Sequence, residues 1–283
     1  PGKPPARSGN RTSDREPLEA FMHPFDQDLA IEQTDLNLFS MNVSDNWLIN
    51  KVSNGGYLMA ALARAMMGRT EKEKAPVLTA NYIYRTIPGP ARISVESFAQ
   101  SKSFDRLEAR LSQNGRECVR AWGTFRDGDL GCDFIRHEAD SLEIPPPDQC
   151  VSIPEMPGYT LFRHADVRLD PACAGWMTGK PNTKKSEQRG WIAFREPRPW
   201  DLFSVALATD AFPPAIMASQ GMLAWVPTLE LSISIRKIPT TPRLKCAFTS
   251  RHMDCGILEE DGQIWDEQNN LIALSRQTAQ FRV

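Results

Sequence analysis

The sequence predicts an α+β fold in which one module occurs twice in tandem, each copy an antiparallel sheet wrapped around a central helix. Three observations support this prediction. A strand-ending segment recurs in the second half, each copy of it is preceded by one apolar helical stretch, and a proline-rich break lies near the middle. With 283 residues, the chain has room for two ordinary domains.

Composition marks the segments that lie outside the two modules. Residues 1–19 are rich in Pro, Gly, Ser and charge, which predicts a disordered tail. Residues 141–160 contain five prolines, three of them consecutive, which predicts a linker. The two modules are therefore expected at 20–140 and 161–283.

Each module contains an apolar stretch that predicts a helix. The first runs from Asn54 to about Met67, and the second runs from Asp201 to about Ala211. Asn and Asp are good N-cap residues because their side chains accept hydrogen bonds from the free N–H groups of the first turn. The second helix is expected to stop at Ala211 because two prolines follow shortly after it.

The strands that follow the helices alternate in the same way in both copies. In the second half four apolar residues alternate with polar ones, namely Leu229, Leu231, Ile233 and Ile235. The same parity holds in the first half for Leu78, Ala80, Tyr82 and Tyr84. One face of each strand should therefore be buried.

Equivalent residues in the two copies give the sequence offset between the copies. Arg85, just after the first of these strands, and Arg236 in the second copy are 151 positions apart. The last strands match at Arg126 and Arg282, which are 156 positions apart. The second copy therefore contains five extra residues, which turn-forming residues place between 259 and 270.

Composition and charge exclude several classes of function. The net charge is -2 with both signs intermixed, which gives no basic patch for nucleic acid. No stretch approaches the roughly 18 apolar residues of a membrane span, and we expect a cytoplasmic protein. Six scattered cysteines predict reduced thiols, and neither they nor the four histidines have the spacing of metal ligands.

Asp210 is the one ionisable residue between Leu202 and Gln220, and it is expected in the last turn of the second helix. Burial and the negative end of the helix would both raise its pKa. A buried carboxylate with a raised pKa is a candidate general base. The alternative is an exposed aspartate at a helix end with no catalytic role.

Two further polar residues lie in apolar surroundings. Gln277 has the parity of inward-facing strand residues, so its amide must find a polar partner or cost roughly 1–3 kcal/mol. A glutamine that only ties down backbone in the core is the alternative. Thr228 opens a strand after a proline, where its hydroxyl could serve the site or merely cap the turn.

The first copy lacks all three residues. It has apolar residues where the second copy has Asp210, Thr228 and Gln277, and the equivalent residues are Ala63, Val77 and Ala121. A residue that the scaffold required would occur in both copies. The trio is therefore a candidate site that belongs to the second copy alone.

Two glycines open the first helix. Gly55 and Gly56 follow the Asn54 cap directly. Glycine at this place lets a ligand oxygen approach the free N–H groups at the positive end of the helix. Close packing of the helix against a neighbouring element is the alternative explanation.

Together these segments resemble the acyl-CoA thioesterase II family, whose members have a double hot-dog fold. The matching segments are Asn54-Gly55-Gly56-Tyr57-Leu58, Thr209-Asp210, Trp225-Val226-Pro227-Thr228, and Leu271-Ile272-Ala273 running on to Gln277. The resemblance extends from about Phe21 to the end of the chain. The departures are the tail, the region through Lys184-Lys185, and Asn54, where relatives often carry an aromatic residue.

The resemblance implies hydrolysis of acyl thioesters by an activated water, without a cofactor and without a metal. The residues implied to hold that water are Asp210, Thr228 and Gln277. The expected substrate-binding residues are Gly55, Gly56 and Tyr57, with N–H groups near Gly56 taking up the oxyanion. The second helix should end against the start of the first, which would bring Asp210 to the two glycines. The resemblance also implies a homo-oligomer whose substrate is acyl-CoA or another acyl thioester.

Three alternatives share the fold. A hydratase that adds water to an enoyl thioester would need an Asp/His pair, which the sequence does not place near the glycines. A pathway-specific hydrolase acting on a carrier-bound acyl group would use the same chemistry. A non-catalytic acyl-binding protein would not need the trio.

Overall fold

The structure is a computed structural model that describes residues 2, 22–127, 136–181, 184–222 and 225–281. The disordered tail predicted at 1–19 lies outside these ranges, apart from Gly2. One of the six cysteines, Cys132, also lies outside them.

The helices and strands follow the order expected for two copies of one module. In the first half they are α1 (Pro24–Asp28), β1 (Glu32–Asp35), β2 (Leu38–Val43), β3 (Leu48–Ile49), β4 (Val52–Ser53), α2 (Gly55–Met67), β5 (Lys74–Tyr82), β6 (Gly89–Gln100), β7 (Asp105–Gln113) and β8 (Arg116–Arg126). In the second half they are β9 (Val151–Ser152), α3 (Leu161–His164), β10 (Ala165–Leu169), β11 (Ser186–Phe194), α4 (Leu202–Ala208), α5 (Met217–Gln220), β12 (Thr228–Ile235), β13 (Leu244–Ser250), β14 (Met253–Asp254), β15 (Ile257–Asp266) and β16 (Leu271–Gln280). Two short 3₁₀ helices lie at Pro147–Gln149 and Gly175–Thr178.

One antiparallel sheet runs through both halves of the described chain. Its strand order is β1-β2-β6-β7-β8-β5-β12-β16-β15-β13-β11-β10-β9, with β14 paired to β15. The halves meet where β5 pairs with β12, and there Leu231 lies opposite Ala80. These two residues are equivalent under the offset of 151 positions, so a pseudo-two-fold axis passes between them. The predicted α+β fold with two tandem modules is confirmed.

Helix α2 is the buried centre of the first half. It packs against β5, β6, β7 and β8, and most of its residues are buried. Asn54 caps it as predicted, with Oδ1 accepting a hydrogen bond from the N–H of Tyr57 at 2.9 Å. The C-terminal part of α4 lies against the start of α2, because a Cβ on Gly56 would be only 2.6 Å from the carbonyl oxygen of Ala206.

Helix α4 is shorter than predicted. It begins after the Asp201 cap and ends at Ala208, so Asp210 lies beyond the helix rather than in its last turn. The helix ends early because its last turn tightens and then bends toward α2. The N–H of Asp210 donates to the carbonyl of Leu207 at 3.1 Å, and the carbonyl of Asp210 accepts a hydrogen bond from Asn54 Nδ2 at 2.6 Å.

The segment predicted as a linker takes part in both halves. Its residues 151–152 form β9, which pairs with β10 at one end of the sheet. The N–H of Lys51 donates to the carbonyl of Gly158 at 2.9 Å, and the N–H of Leu48 donates to Thr160 Oγ1 at 3.0 Å. The segment is therefore anchored along its length, and the module boundaries at 140 and 160 stay a prediction.

The extra residues of the second copy lie toward the tip of one hairpin. Strands β7 and β8 are joined by a tight turn at Asn114 and Gly115, which both have positive φ. Strands β15 and β16 are joined by the longer segment 267–270, in which Asn269 has a φ of 64°. Insertions at a hairpin tip disturb a fold least, because they change neither register nor core.

The core is continuous across both halves. Tyr57 and Met59 of α2 and Val205 and Leu207 of α4 all belong to it, with at most 1% of their surfaces exposed. The five cysteines that the structure describes are free thiols. Among the described residues, no helix is both long and apolar enough to cross a membrane.

Candidate active site

A cavity of about 540 Å³ lies beside the adjoining ends of α2 and α4. Its walls include all three residues selected by comparing the two copies, namely Asp210, Thr228 and Gln277. Much of the remaining wall is apolar or aromatic, including Tyr159, Phe162, Trp176, Phe212, Trp225 and Phe248. A few polar groups converging in an apolar cavity are typical of a site for a small molecule.

Asp210 points at the start of α2. Its Oδ2 accepts hydrogen bonds from the N–H of Gly56 at 3.1 Å and from Asn54 Nδ2 at 3.0 Å. Burial raises the pKa of Asp210 to about 6, and the hydrogen bonds from Gly56, Gly55 and Asn54 limit that rise. Asp210 is partly buried and lies beyond the end of α4, so it is not the exposed helix-end aspartate of the alternative. Its catalytic role stays a prediction. With that pKa, the carboxylate is mostly ionised at neutral pH and is basic enough to accept a proton.

Asn54 joins the two helix ends. Its Oδ1 caps α2, while its Nδ2 donates to both the carboxylate and the backbone carbonyl of Asp210. The sequence indicated only the cap and the departure from an aromatic residue at this position. The contact with Asp210 was not foreseeable from local pattern, because the two residues are 156 positions apart.

The two glycines admit an oxygen to the helix N-terminus, but that oxygen belongs to the chain itself. A Cβ on Gly55 would lie 2.9 Å from Asp210 Oδ2, and one on Gly56 would meet the backbone of α4 at 2.6 Å. The N–H of Gly56 donates to Asp210, so Asp210 meets the glycines as expected. That this N–H takes up an oxyanion stays a prediction. Close packing, the alternative explanation, also applies to Gly56.

Thr228 and Gln277 form a pair in the cavity wall. The side-chain nitrogen of Gln277 donates a hydrogen bond to the hydroxyl of Thr228. Gln277 lies on β16 with only 8% of its surface exposed, and Thr228 begins the neighbouring strand β12. The polar partner expected for this buried amide is thus the second member of the trio, and not the backbone.

Of the three predicted substrate-binding residues, Gly55 lines the cavity, whereas Gly56 and Tyr57 lie behind its wall. The ring of Tyr57 is fully buried beside Trp47, 6.1 Å between centroids. Its hydroxyl donates to the carbonyl of Asp28 at 2.8 Å and accepts from the N–H of Ser44 at 3.2 Å. The helical period turns Tyr57 toward the core, so its side chain supports α2 instead of contacting a substrate in this cavity.

Tyr82 is one residue of the cavity wall that the sequence analysis missed. Its hydroxyl donates to the carbonyl of Gly55 at 2.8 Å, and its ring borders the space that a Gly55 side chain would need. Burial, and then the nearby charge of Asp210, raise the pKa of Tyr82 well above its usual value. The equivalent residue of the second copy is Ile233, so comparing the copies in the opposite direction would have found it.

Glu260 is the other missed residue. It lies on β15, is 8% exposed, and lines the same cavity as Asp210. Its Oε2 accepts a hydrogen bond from the N–H of Ala215. Burial raises the pKa of Glu260 to about 7, the charges of Asp210 and Asp261 add to the rise, and the bond from Ala215 opposes it.

Two family models match the chain. The model of the acyl-CoA thioesterase N-terminal domain matches residues 43–126. The model of the acyl-CoA thioesterase C-terminal domain matches residues 147–281. The two matches follow each other in order and leave out the first 42 residues and the stretch between them. A comparison with curated proteins gives no match.

Solved structures share the fold over most of the chain. A proposed thioesterase II from Thermobifida fusca YX is 24% identical, with a TM-score of 0.85 over 93% of this chain and 98% of its own. A protein of unknown function with the hot-dog fold from Alicyclobacillus acidocaldarius is 18% identical, with a TM-score of 0.83 over 93% and 99%. An acyl-CoA thioesterase II from Mycobacterium marinum is 18% identical, with a TM-score of 0.72 over 91% and 98%. At these identities the likeness establishes the double hot-dog fold.

Proposed function

The chain belongs to the acyl-CoA thioesterase family and is a thioester hydrolase, and from that premise we propose that Asp210 is its general base. The observation that carries this proposal is the position of the Asp210 carboxylate. It is held at the start of α2 inside a mostly apolar cavity, with its pKa raised to about 6 and the Thr228–Gln277 pair in the same wall.

In the proposed reaction, a water molecule bound by Thr228 and Gln277 attacks the carbonyl carbon of the thioester. Asp210 takes a proton from that water as the new carbon–oxygen bond forms. The carbonyl electrons move onto oxygen and then re-form the double bond as the carbon–sulfur bond breaks. A carboxylic acid is released, and the sulfur leaves with the bonding pair and takes up one proton to become a thiol, which balances the proton held by Asp210. General-base help of this kind typically contributes about 10²–10⁴ in rate.

The N–H of Gly56 has two successive roles in this proposal. Before attack it donates to the ionised carboxylate of Asp210. Once Asp210 has taken the proton it becomes a weaker acceptor, which frees the N–H for the developing oxyanion. An oxyanion is best stabilised by donors that are already oriented, and the N-terminus of a helix supplies such donors.

The apolar and aromatic wall suits an acyl chain as substrate. Coenzyme A and carrier proteins present the acyl group through the same pantetheine thiol, so both sources fit the cavity chemistry. A hydratase is not favoured, because none of the described residues that line the cavity is a histidine. Asp210, held by three donors beside a polar pair, is more than a passive acyl-binding protein needs.

The test is free-thiol release from acyl-CoAs of increasing chain length and from the same acyl groups on a phosphopantetheinylated carrier protein. Asp210→Asn should lower kcat by about 10²–10⁴-fold with whichever source is used. Asp254→Asn, which changes an exposed aspartate of β14, is the matched control and should keep full activity. If wild type and control hydrolyse thioesters and Asp210→Asn does so equally well, Asp210 is not the base.

A further inference from the structure

Glu260 lies next to Gln277 of the Thr228–Gln277 pair in the sheet. In the register of β15 and β16 it lies directly opposite Gln277. Residues opposite each other on one face of an antiparallel pair have Cβ atoms about 4.5–5.5 Å apart. Both side chains are 8% exposed and both line the cavity that contains Asp210. Glu260 is therefore a member of the same polar cluster.

The first half shows that the scaffold does not require a carboxylate at this position. There Ala109 lies directly opposite Ala121 in the register of β7 and β8. Ala121 is the equivalent of Gln277, so Ala109 is the equivalent of Glu260. A fully buried alanine pair in one copy thus corresponds to a buried Glu–Gln pair in the other. Glu260 meets the criterion that selected the other three residues.

The surroundings of Glu260 favour its protonated form. The charged groups that act on it among the described residues are Asp210, from the segment after α4, and Asp261, on its own strand. Its neighbours Gln277 and Ala215 are uncharged. Since both nearby charges are negative and the site is buried, Glu260 keeps its proton to higher pH than Asp210 does. Near neutral pH, the site then contains one mostly ionised carboxyl group, on Asp210, and one that is about half protonated, on Glu260.

We propose that Glu260 is the acid that gives its proton to the departing sulfur. This inference rests on the proposed hydrolysis by Asp210. As the tetrahedral intermediate collapses, the carbon–oxygen double bond re-forms and the carbon–sulfur bond breaks. The bonding pair moves onto sulfur, which takes the proton of Glu260 and leaves as a neutral thiol.

The site then resets by one internal proton transfer. Asp210 holds the proton that it took from water, and Glu260 is now ionised. Passage of that proton from Asp210 to Glu260 restores the starting forms of both residues. One water and one thioester have become one carboxylic acid and one thiol, so no other reactant is required.

The test varies the leaving group. For the acyl chain that wild type prefers, we would measure kcat/KM with the N-acetylcysteamine thioester and with the thiophenyl thioester, whose thiol is a much stronger acid. An acid matters only when the leaving group needs a proton. Glu260→Gln should therefore lose about 10²-fold with the alkyl thioester, at the lower end of general-acid effects, and less than about 10-fold with the aryl one.

Glu260→Gln keeps the shape of the side chain and an oxygen to accept from Ala215, so it should fold. Glu259→Gln, on the exposed face of the same strand, is the matched control and should change neither rate. Equal losses with both thioesters, or no loss with either, would show that Glu260 is not the acid. If Asp210→Asn hydrolyses both thioesters as fast as wild type, the proposed role of Asp210 itself fails, which is a distinguishable result.

Discussion

The side-chain nitrogen of Asn54 lies 3.0 Å from Oδ2 of Asp210 and 2.6 Å from its carbonyl oxygen. One amide therefore holds both the carboxylate and the backbone that carries it. The same side chain caps α2 through its oxygen. The position of the proposed base is thus linked directly to the start of the helix whose N–H groups face it.

Asn54 should set the pH at which the enzyme begins to work. Its Nδ2 favours the charged form of Asp210, so removing it raises the pKa of that residue above about 6. Because the base must be ionised, Asn54→Ala should move the acidic limb of the kcat/KM profile to higher pH. The pH–rate profile measures this shift.

Asn54→Ser separates this role from helix capping. Serine caps a helix but is too short to bridge to Asp210, so the limb should move as it does in the alanine variant. Only Asn54→Ala should also lose about 1 kcal/mol of unfolding free energy through the missing cap. A limb that stays in place in both variants would contradict the assigned role.

Asp210 and Glu260 should lower the stability of the fold as the pH rises from about 4 to about 7. They have folded-state pKa values of about 6 and about 7, above the ordinary 3.8 and 4.5. These two groups therefore bind more protons in the folded chain than in the unfolded chain, and their contribution to the free energy of unfolding falls with pH. The lowered pKa values of His23 and His164 act in the opposite direction. At about 1.4 kcal/mol per pH unit, Asp210 alone accounts for roughly 3 kcal/mol.

Asp210→Asn should remove that part of the decrease. The variant should be more stable than wild type at pH 7.5 and close to it at pH 4, as measured by urea unfolding at both values. Such a gain would show that the ionised Asp210 makes the wild-type protein less stable. Parallel pH curves for the two proteins would mean that the pKa of Asp210 is not raised in the folded state.

Thr228 and Gln277 should act as one unit. Thr228→Val and Gln277→Ala introduce the residues of the first copy at the matching positions. Each should lower kcat, and the double variant should lose little more than the worse single variant, because either change disrupts the same water. A double-mutant cycle on kcat measures the coupling. Strictly additive losses would show that the two side chains work independently.

Gly56→Ala should destabilise the fold. The added Cβ would lie 2.6 Å from the carbonyl oxygen of Ala206 and 2.9 Å from Leu207 Cα, so the helices would have to separate. Overpacking of this kind typically costs about 1–3 kcal/mol. Gly68→Ala, at the other end of α2, meets nothing closer than 3.3 Å and is the milder control. Urea unfolding compares the stabilities of the two variants. Equal values would show that α2 and α4 can move apart without loss of stability.

Features that depend on local pattern were predictable from the sequence. The Asn54 cap and the bounds of α2 follow from a cap residue and an apolar run. The burial of Leu231 and Leu78 follows from alternation, but Leu229 and Tyr84, which have the same parity and lie near the strand ends, are 38% and 51% exposed. Comparison of the copies also selected Asp210, Thr228 and Gln277, which share one cavity in the structure. The first copy therefore shows which residues the scaffold does not need, and the residues found only in the second copy are site candidates.

Features that depend on which elements meet were not predictable. Glu260 is the middle residue of an acidic run, and only its register opposite Gln277 shows that it faces inward. The contact of the Gly56 N–H with Asp210, 154 positions away, was expected only from the family resemblance, and no local pattern indicates it. Tyr57 was expected at the substrate from the family resemblance, yet one step along a helix changes direction by about 100°, which turns its side chain away from the cavity.

The pairing of Ala80 with Leu231 across the pseudo-two-fold axis also bears on how the two halves could diverge. In an assembly of two identical single modules, every substitution appears twice, so a change that abolishes one catalytic centre abolishes its twin. Covalent fusion removes that constraint. In a fused chain each half can carry its own substitutions, as shown by the alanine and valine of the first half where the second has Asp210, Gln277 and Thr228. The first half still contributes the helix N-terminus that Asp210 meets.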